Sequence, residues 1–246
     1  MYQFFVNTDA VGSDQIRITG PDVNHIRNVL RLKPGTQIKV NDQGDMEYIC
    51  SITELTEDIV YAKIEDMQSV TAELPVEIYL FQGYPKGDKL ETIIQKTVEL
   101  GVSKVVPVMM KRCVVRLDDK KAHKKQERMQ AIALAAAKQS KRGVVPEIMP
   151  VMAWQDAVQL AAKLDMLLVP YENAEGIAAS KHLISRIADH KSLGIFIGPE
   201  GGFAPEEIEQ LQAVGGQNIT LGHRILRTET AGMAMMSIIM FELEKD

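Results

Sequence analysis

The chain has 246 residues, 46% hydrophobic and 25% charged, with a formal charge of −5. That is an ordinary water-soluble composition, long enough for one large domain or two modest ones. No apolar run approaches the roughly 18 residues of a membrane-spanning helix. The opening Met1-Tyr2-Gln3-Phe4-Phe5 lacks the basic stretch that precedes a secretion signal. Cys50 and Cys113 stand far apart without metal-type spacing, which points to reduced thiols, a cytoplasmic protein and no metal.

The net charge hides an asymmetry. Between Lys104 and Arg142 there are twelve Lys or Arg against three acids, Asp118, Asp119 and Glu127. A basic stretch inside an acidic chain suggests one localised anionic partner; a solvated helix face is the plainer alternative.

Residues 1–70 read as a small β-rich domain. Short runs rich in β-branched and aromatic residues predict strands at Tyr2–Val6, Gln15–Thr19, Thr36–Val40, Tyr48–Leu55 and Ile59–Glu65. Asn41-Asp42-Gln43-Gly44-Asp45 supplies a turn, and Pro21 can open a short helix through Leu30. A five-stranded barrel with one helix follows. Gln68 to Pro75 reads as a linker.

From Val76 strands alternate with helices. Strands are expected at Val76–Phe81, Lys104–Met110, Met166–Pro170, Leu193–Ile197 and Asn218–Leu221. Helices are expected at Asp88–Leu100, Ala122–Gln139, Ala153–Lys163, Ile177–Asp189, Pro205–Val214 and Thr228–Glu244. This alternation predicts an α/β domain over 76–246, a parallel sheet with helices on both faces. The last helix is apolar nearly all round, so it must be covered on more than one side. Either the core covers it, or one side meets a second subunit, with Gly232 and Ala234 allowing close approach.

Two segments near the C-terminus share a design. Ile195-Phe196-Ile197-Gly198-Pro199-Glu200-Gly201-Gly202-Phe203 and Leu221-Gly222-His223-Arg224-Ile225-Leu226-Arg227-Thr228-Glu229-Thr230-Ala231 each run from an apolar strand through glycine into a helix. Such loops lie at the carboxyl ends of parallel strands, where open sheets bind ligands. Neither is a P-loop or a dinucleotide fingerprint. Thr228 or Thr230 can cap the following helix. The five histidines have no ligand spacing on a helix. Glu91, Lys96 and Glu99 are spaced for ordinary pairing along one helix.

Together, IGPEGGF and LGxRILRTETA resemble the signature of the RsmE family, the 16S ribosomal RNA uracil-N3 methyltransferases of the SPOUT (α/β-knot) class. Asn24-His25-Ile26-Arg27-Asn28-Val29-Leu30-Arg31 is similar to the family's H-I-x-x-V-L-R. The stretch from Lys89-Leu90-Glu91 to Glu99-Leu100-Gly101-Val102 is similar to its K-x-E…E-L-G-V; Arg112-Cys113 and Val145-Pro146-Glu147-Ile148 match as well. The resemblance spans nearly the whole chain. It implies a PUA-like RNA-binding barrel, a SPOUT domain with a deep trefoil knot, S-adenosylmethionine as cofactor, a homodimer, and 16S rRNA or the 30S subunit as partner. It also implies site residues. Leu168, Val169, Pro170, Ile197, Gly198, Pro199, Glu200, Gly201, Gly202, Leu221, Gly222, Ile225, Leu226, Arg227, Thr228, Thr230 and Ala231 would enclose the cofactor. Arg227 and Arg112 would stabilise charge developing on the uracil. His25, Arg27, Arg31, Lys111, Arg116, Lys120, Lys121, Lys124, Lys125 and Arg142 would meet RNA.

The chain departs from the family pattern twice. No arginine stands within the first few residues, where Gln3 offers a neutral group. Lys138 occupies a place that is often acidic. The alternatives are a non-catalytic RNA-binding protein, whose glycine loops are only turns, and a nucleotide-dependent α/β enzyme of another kind.

Overall fold

The computed structural model describes residues 1–44, 46–115, 119–171 and 176–244, with backbone alone for 119–122. The chain divides into two compact units. One comprises Met1–Glu73 with Ala137–Val145, the other Leu74–Ala136 with Pro146–Asp246.

The first unit is a curled five-stranded sheet. Its strands are β1 (Tyr2–Phe5), β2 (Gln15–Thr19), β3 (Gln37–Asn41), β4 (Met46–Leu55) and β5 (Ile59–Ser69), in the order β1-β3-β4-β5-β2. β1 runs parallel to β3; the other pairs are antiparallel. Register shifts at Ile49/Cys50 and Ile52/Glu54 bend β4 and curl the sheet. Alternate residues such as Ile16, Ile18, Ile38, Val40, Val60 and Ala62 point inward and form its core. Pro21 opens α1 (Pro21–Asn24) as expected, but the helix then widens into a π turn over His25–Val29, closed by the Leu30 N–H to the His25 carbonyl at 2.8 Å. Val23 and Ile26 face the core. Arg31 ends the turn in the left-handed region at φ 53°.

The segment 137–145 belongs to this unit, and it accounts for both departures from the family pattern. The Gln3 side-chain amide donates to the Arg142 carbonyl, as does that of Asn41 at 3.4 Å. Lys138 Nζ lies 2.8 Å from the Asp22 carboxylate and 5.3 Å from the centre of the Phe4 ring. Arg142, expected on the RNA patch, is 4% exposed, with Nε 3.2 Å from each Glu73 carboxylate oxygen. Glu73 also accepts the Gly143 N–H at 3.0 Å. A buried guanidinium needs a carboxylate, and that need commits Arg142 to the fold rather than to RNA.

The second unit is a seven-stranded parallel sheet: β6 (Glu77–Gly83), β7 (Lys104–Met109), β8 (Glu147–Ile148), β9 (Met152–Ala153), β10 (Met166–Pro170), β11 (Ser192–Ile197) and β12 (Gln217–Ile219). Its order is β12-β10-β11-β6-β7-β8, with β9 also on β7. The two-residue strands β8 and β9 are too short to leave a pattern in the sequence. The helices are α2 (Lys89–Glu99), α3 (Asp119–Ser140), α4 (Trp154–Ala161), α5 (Ile177–Ile184), α6 (Pro205–Ala213) and α7 (Thr228–Leu243). Phe81 and Phe196 stack at 4.4 Å in the core, with Trp154 edge-on to Phe196 at 5.7 Å. None of these helices is long and apolar enough to cross a membrane.

α7 resolves its all-round apolar character into two faces. Gly232, Met235, Met236, Ile239 and Leu243 are buried, as the helix packs on α2 and β11. Ile238 and Phe241, three residues apart on the other side, are 38% and 84% exposed. Gly232, expected to let a second subunit approach, instead faces Leu80, Gln82 and Ile197 inside the chain.

Candidate functional site

The strand order reverses between β6 and β11. The chain runs outward through β7 and β8 on one side, then returns to build β10, β11 and β12 on the other. Open sheets bind ligands beyond the carboxyl strand ends at such a point. There the register aligns four strand ends: Leu168 pairs with Ile195, Pro170 with Ile219, and Ile197 with Gln82. Leu168, Val169 and Ile197 are themselves core residues, 0–3% exposed.

The first glycine loop leaves β11. The Gly202 N–H bonds the Pro199 carbonyl at 2.9 Å, closing a turn, and Gly202 exits it at φ 68°. The loop folds back so closely that a Cβ on Gly198 would stand 3.2 Å from the Gly202 carbonyl carbon. Phe203 is buried beneath it, edge-on to Tyr171 at 6.5 Å. The end of β6 presses against the same turn. A Cβ on Gly83 would stand 2.5 Å from Pro199 N, so only glycine permits this approach.

Side chains brace the loop from outside. Glu200 accepts Lys89 Nζ at 2.8 Å and the Lys86 N–H at 3.1 Å. Partial burial pushes the Glu200 carboxyl up, but the bonds from Lys89 and the backbone amides outweigh it and hold the group below the usual glutamate range. Lys89 also lies 3.8 Å from Glu229 on α7. The Arg112 guanidinium donates to the Gly201 carbonyl at 3.0 Å, and a Cβ on Gly201 would stand 3.0 Å from Arg112 Cβ. Arg112 thus braces the loop. Glu207 boxes the start of α6 by accepting the Ala204 N–H at 2.7 Å, and accepts the Lys111 N–H at 2.8 Å.

The second loop leaves β12. Thr220 Oγ1 accepts the Gly222 N–H at 3.1 Å, and Gly222 turns the chain at φ 109°. His223, Arg224 and Ile225 stand exposed, Leu226 is half-buried, and Thr230 and Ala231 lie in the first turn of α7. Arg227, not a threonine, is the N-cap of α7. It is exposed, and its side chain has no hydrogen bond or ion pair among the described residues. Glu200 and Glu229, two carboxylates that could have paired with it, are both engaged by Lys89.

Thr228, expected among the cofactor residues and as a cap, does not cap α7. It is 6% exposed, and its hydroxyl donates to the Gly198 carbonyl at 2.7 Å, tying the two loops together. Sequence reasoning missed Gln82 and Gly83, which the topology brings to this point. Their only signal was polar Gln82 and small Gly83 directly after Ile78-Tyr79-Leu80-Phe81.

Residues 72–240 match the RNA methyltransferase domain family, and residues 18–65 match the RNA methyltransferase PUA domain. The chain is 41% identical over 230 residues to the ribosomal RNA small subunit methyltransferase E of Bacillus subtilis (strain 168), covering 92% of this chain and 90% of that one. The chain belongs to the ribosomal RNA small subunit methyltransferase E family. A crystal structure of the Neisseria gonorrhoeae enzyme bound to S-adenosyl methionine is similar at a TM-score of 0.81 and 30% identity, over 96% of this chain and 95% of that one. A putative methyltransferase from Legionella pneumophila, also with S-adenosylmethionine bound, is similar at 0.81 and 27%, over 97% and 96%. The family assignment gives the curled sheet of the first unit its PUA character.

Among the other expected RNA residues, His25 and Arg31 are exposed and Arg27 is half-buried at the π turn. Lys111 pairs with Glu206, and Lys125 sits 3.3 Å from the Tyr84 hydroxyl, while Lys124 is exposed. Arg116 lies outside the described residues, as do the side chains of Lys120 and Lys121. Among the described residues no cluster of three or more His, Cys, Asp or Glu could hold a metal ion.

Proposed function

We propose that this protein methylates N3 of a specific uridine in 16S rRNA of the small ribosomal subunit, using S-adenosylmethionine. The observation that carries this reading is the junction of both glycine loops at the reversal of the sheet, with an exposed, unpaired Arg227 at its rim. The cradle fits the cofactor. At Gly202 a Cβ would meet nothing within 4 Å, so the backbone there is open to a ligand, while bare Gly198 lets the loop fold back tightly beneath it. Gly198–Gly202, Leu221–Gly222 and Ile225–Ala231 would hold it, with Pro170 at the third strand end.

The bound cofactor supplies a methyl on a sulfonium that is already a good leaving group. The protein therefore mainly positions. The uracil must lose its N3 proton to expose the attacking lone pair, and a guanidinium stays charged throughout to stabilise that anion. Arg227 suits this task because no carboxylate among the described residues claims its charge. Arg112 acts by holding the Gly201 loop.

Residues 1–70 serve as the RNA-binding domain and 76–246 as the methyltransferase domain, with the family's trefoil knot. His25, Arg27 and Arg31 and the basic face of α3 meet phosphates. A homodimer covers Ile238 and Phe241, and the enzyme works in the cytoplasm on 30S subunits. Nucleoside mass spectrometry of 16S rRNA from a deletion strain tests the reaction. One 3-methyluridine should vanish and return with the purified protein; a methyl lost from another base, or none, would refute the assignment.

A further inference from the structure

Gln82 is wholly buried at the end of β6, in the centre of the sheet, and belongs to none of the groups assigned above. Its amide nitrogen lies 2.8 Å from Thr228 Oγ1 and 3.1 Å from the Gly83 carbonyl. The Gly198 carbonyl, 2.7 Å from Thr228 Oγ1, can only accept, so the Thr228 proton points to it. The hydroxyl must then accept from Gln82. The Gly83 carbonyl demands a donor as well. Both neighbours thus fix the amide with NH₂ toward Thr228 and Gly83. Gln82 Oε1 is left buried without a donor among the described residues, on the side where bare Gly232 of α7 passes; a Cβ there would stand 3.7 Å away. Leaving a buried acceptor unsatisfied is costly. Satisfying the two donors at that cost shows which end of the amide matters to the fold.

We propose that Gln82 is a positioning residue whose one-way relay, from Gln82 NH₂ to the Thr228 hydroxyl to the Gly198 carbonyl, sets the orientation of the cofactor loop. The relay joins the end of β6, the loop after β11 and the first residue of α7. It turns the Gly198 carbonyl toward α7 and takes up one of its two lone pairs. It also leaves the Thr228 hydroxyl no proton for a ligand carboxylate. The polarity matters because a single hydroxyl proton serves the last link.

This inference rests on the cofactor lying at these loops. Calorimetry with S-adenosylmethionine on the full chain, beside thermal melts and single-turnover methylation of 30S subunits, tests it. Thr228→Val, matched in shape but without a hydroxyl, should weaken cofactor affinity tenfold or more; Thr228→Ser should stay within about threefold of wild type. Gln82→Glu is the decisive variant. Its carboxylate cannot donate, so it competes with the Gly198 carbonyl for the hydroxyl proton and should bind as poorly as Thr228→Val. Protonated, the same acid can donate again, so its affinity should recover toward wild type as pH falls, a rescue that a merely structural role would not produce. Should either variant fail to fold, Gln82→Asn keeps the amide but withdraws it from Thr228 and should show the same loss. Wild-type affinity in Thr228→Val and Gln82→Glu, with only their melting temperatures lowered, would overturn the relay. Failure of the wild type to bind would instead overturn the placement of the cofactor.

Discussion

Gly83→Ala tests the packing of the cofactor loop with a single methyl group. The added Cβ would stand 2.5 Å from Pro199 N, 2.6 Å from Pro199 Cδ and 3.0 Å from the Gly198 carbonyl carbon. Ordinary contact begins near 3.5 Å, so the turn must retreat by roughly 1 Å. Neither side yields easily. Gly83 is in β6, paired with Val108 of β7, and the preceding Gln82 is paired with Ile197 of β11. The Gly198 carbonyl is held by Thr228. Overpacking of this kind costs about 1–3 kcal/mol of stability. A misplacement of about 1 Å at a site can cost a hundredfold in rate. The variant should melt several degrees lower yet remain folded, and bind S-adenosylmethionine at least tenfold more weakly in calorimetry. Unchanged affinity in a folded Gly83→Ala protein would refute the claim that the end of β6 shapes the cofactor cradle.

Arg227→Ala should leave cofactor affinity nearly intact while single-turnover methylation falls by about a hundredfold, as when one donor to a developing anion is lost. Arg227→Lys should recover only part of that, and unchanged turnover in Arg227→Ala would eliminate the role. Phe241→Asp should give a monomer in sedimentation at micromolar concentration, whereas a dimer that persists would place the interface elsewhere. Changing Lys120, Lys121, Lys124 and Lys125 together to Ala should flatten the salt dependence of RNA binding, because each neutralised phosphate releases counterions; an equal slope would make α3 a solvated face. The Glu200 carboxyl is held below its usual range, so the Lys89–Glu200 tie contributes its stability fully above that range. It is lost only as pH falls through the lowered value. Cofactor affinity measured down the acid range should fall there in the wild type, and Glu200→Gln should be weaker at neutral pH and flat across that window.

The sequence by itself determined most strands and helices and both glycine loops, but not that 137–145 belongs with the first unit. Period-two alternation marks β2, which came out as Gln15–Thr19, and a compact apolar run marks β10, which came out as Met166–Pro170. Glycine and proline punctuate locally, so the turns at Gly198–Gly202 and Gly222 were legible too. The family signature added a chemistry that residue types alone could not name. The tertiary structure decided the partners. Arg142 looked like part of a basic surface, yet Glu73, sixty-nine residues away, draws it into the first unit. Thr228 looked like a cap or a ligand contact until Gln82, 146 residues away, and Gly198 took up its hydroxyl. Arg227 could have paired with Glu200 or Glu229, but Lys89 engages both. A charge or a hydroxyl has a local appearance in the sequence, but its hydrogen-bonding partner is set by which strand ends the sheet lays side by side. Here β6 lies beside β11 with more than a hundred residues between them, and no local pattern encodes that pairing.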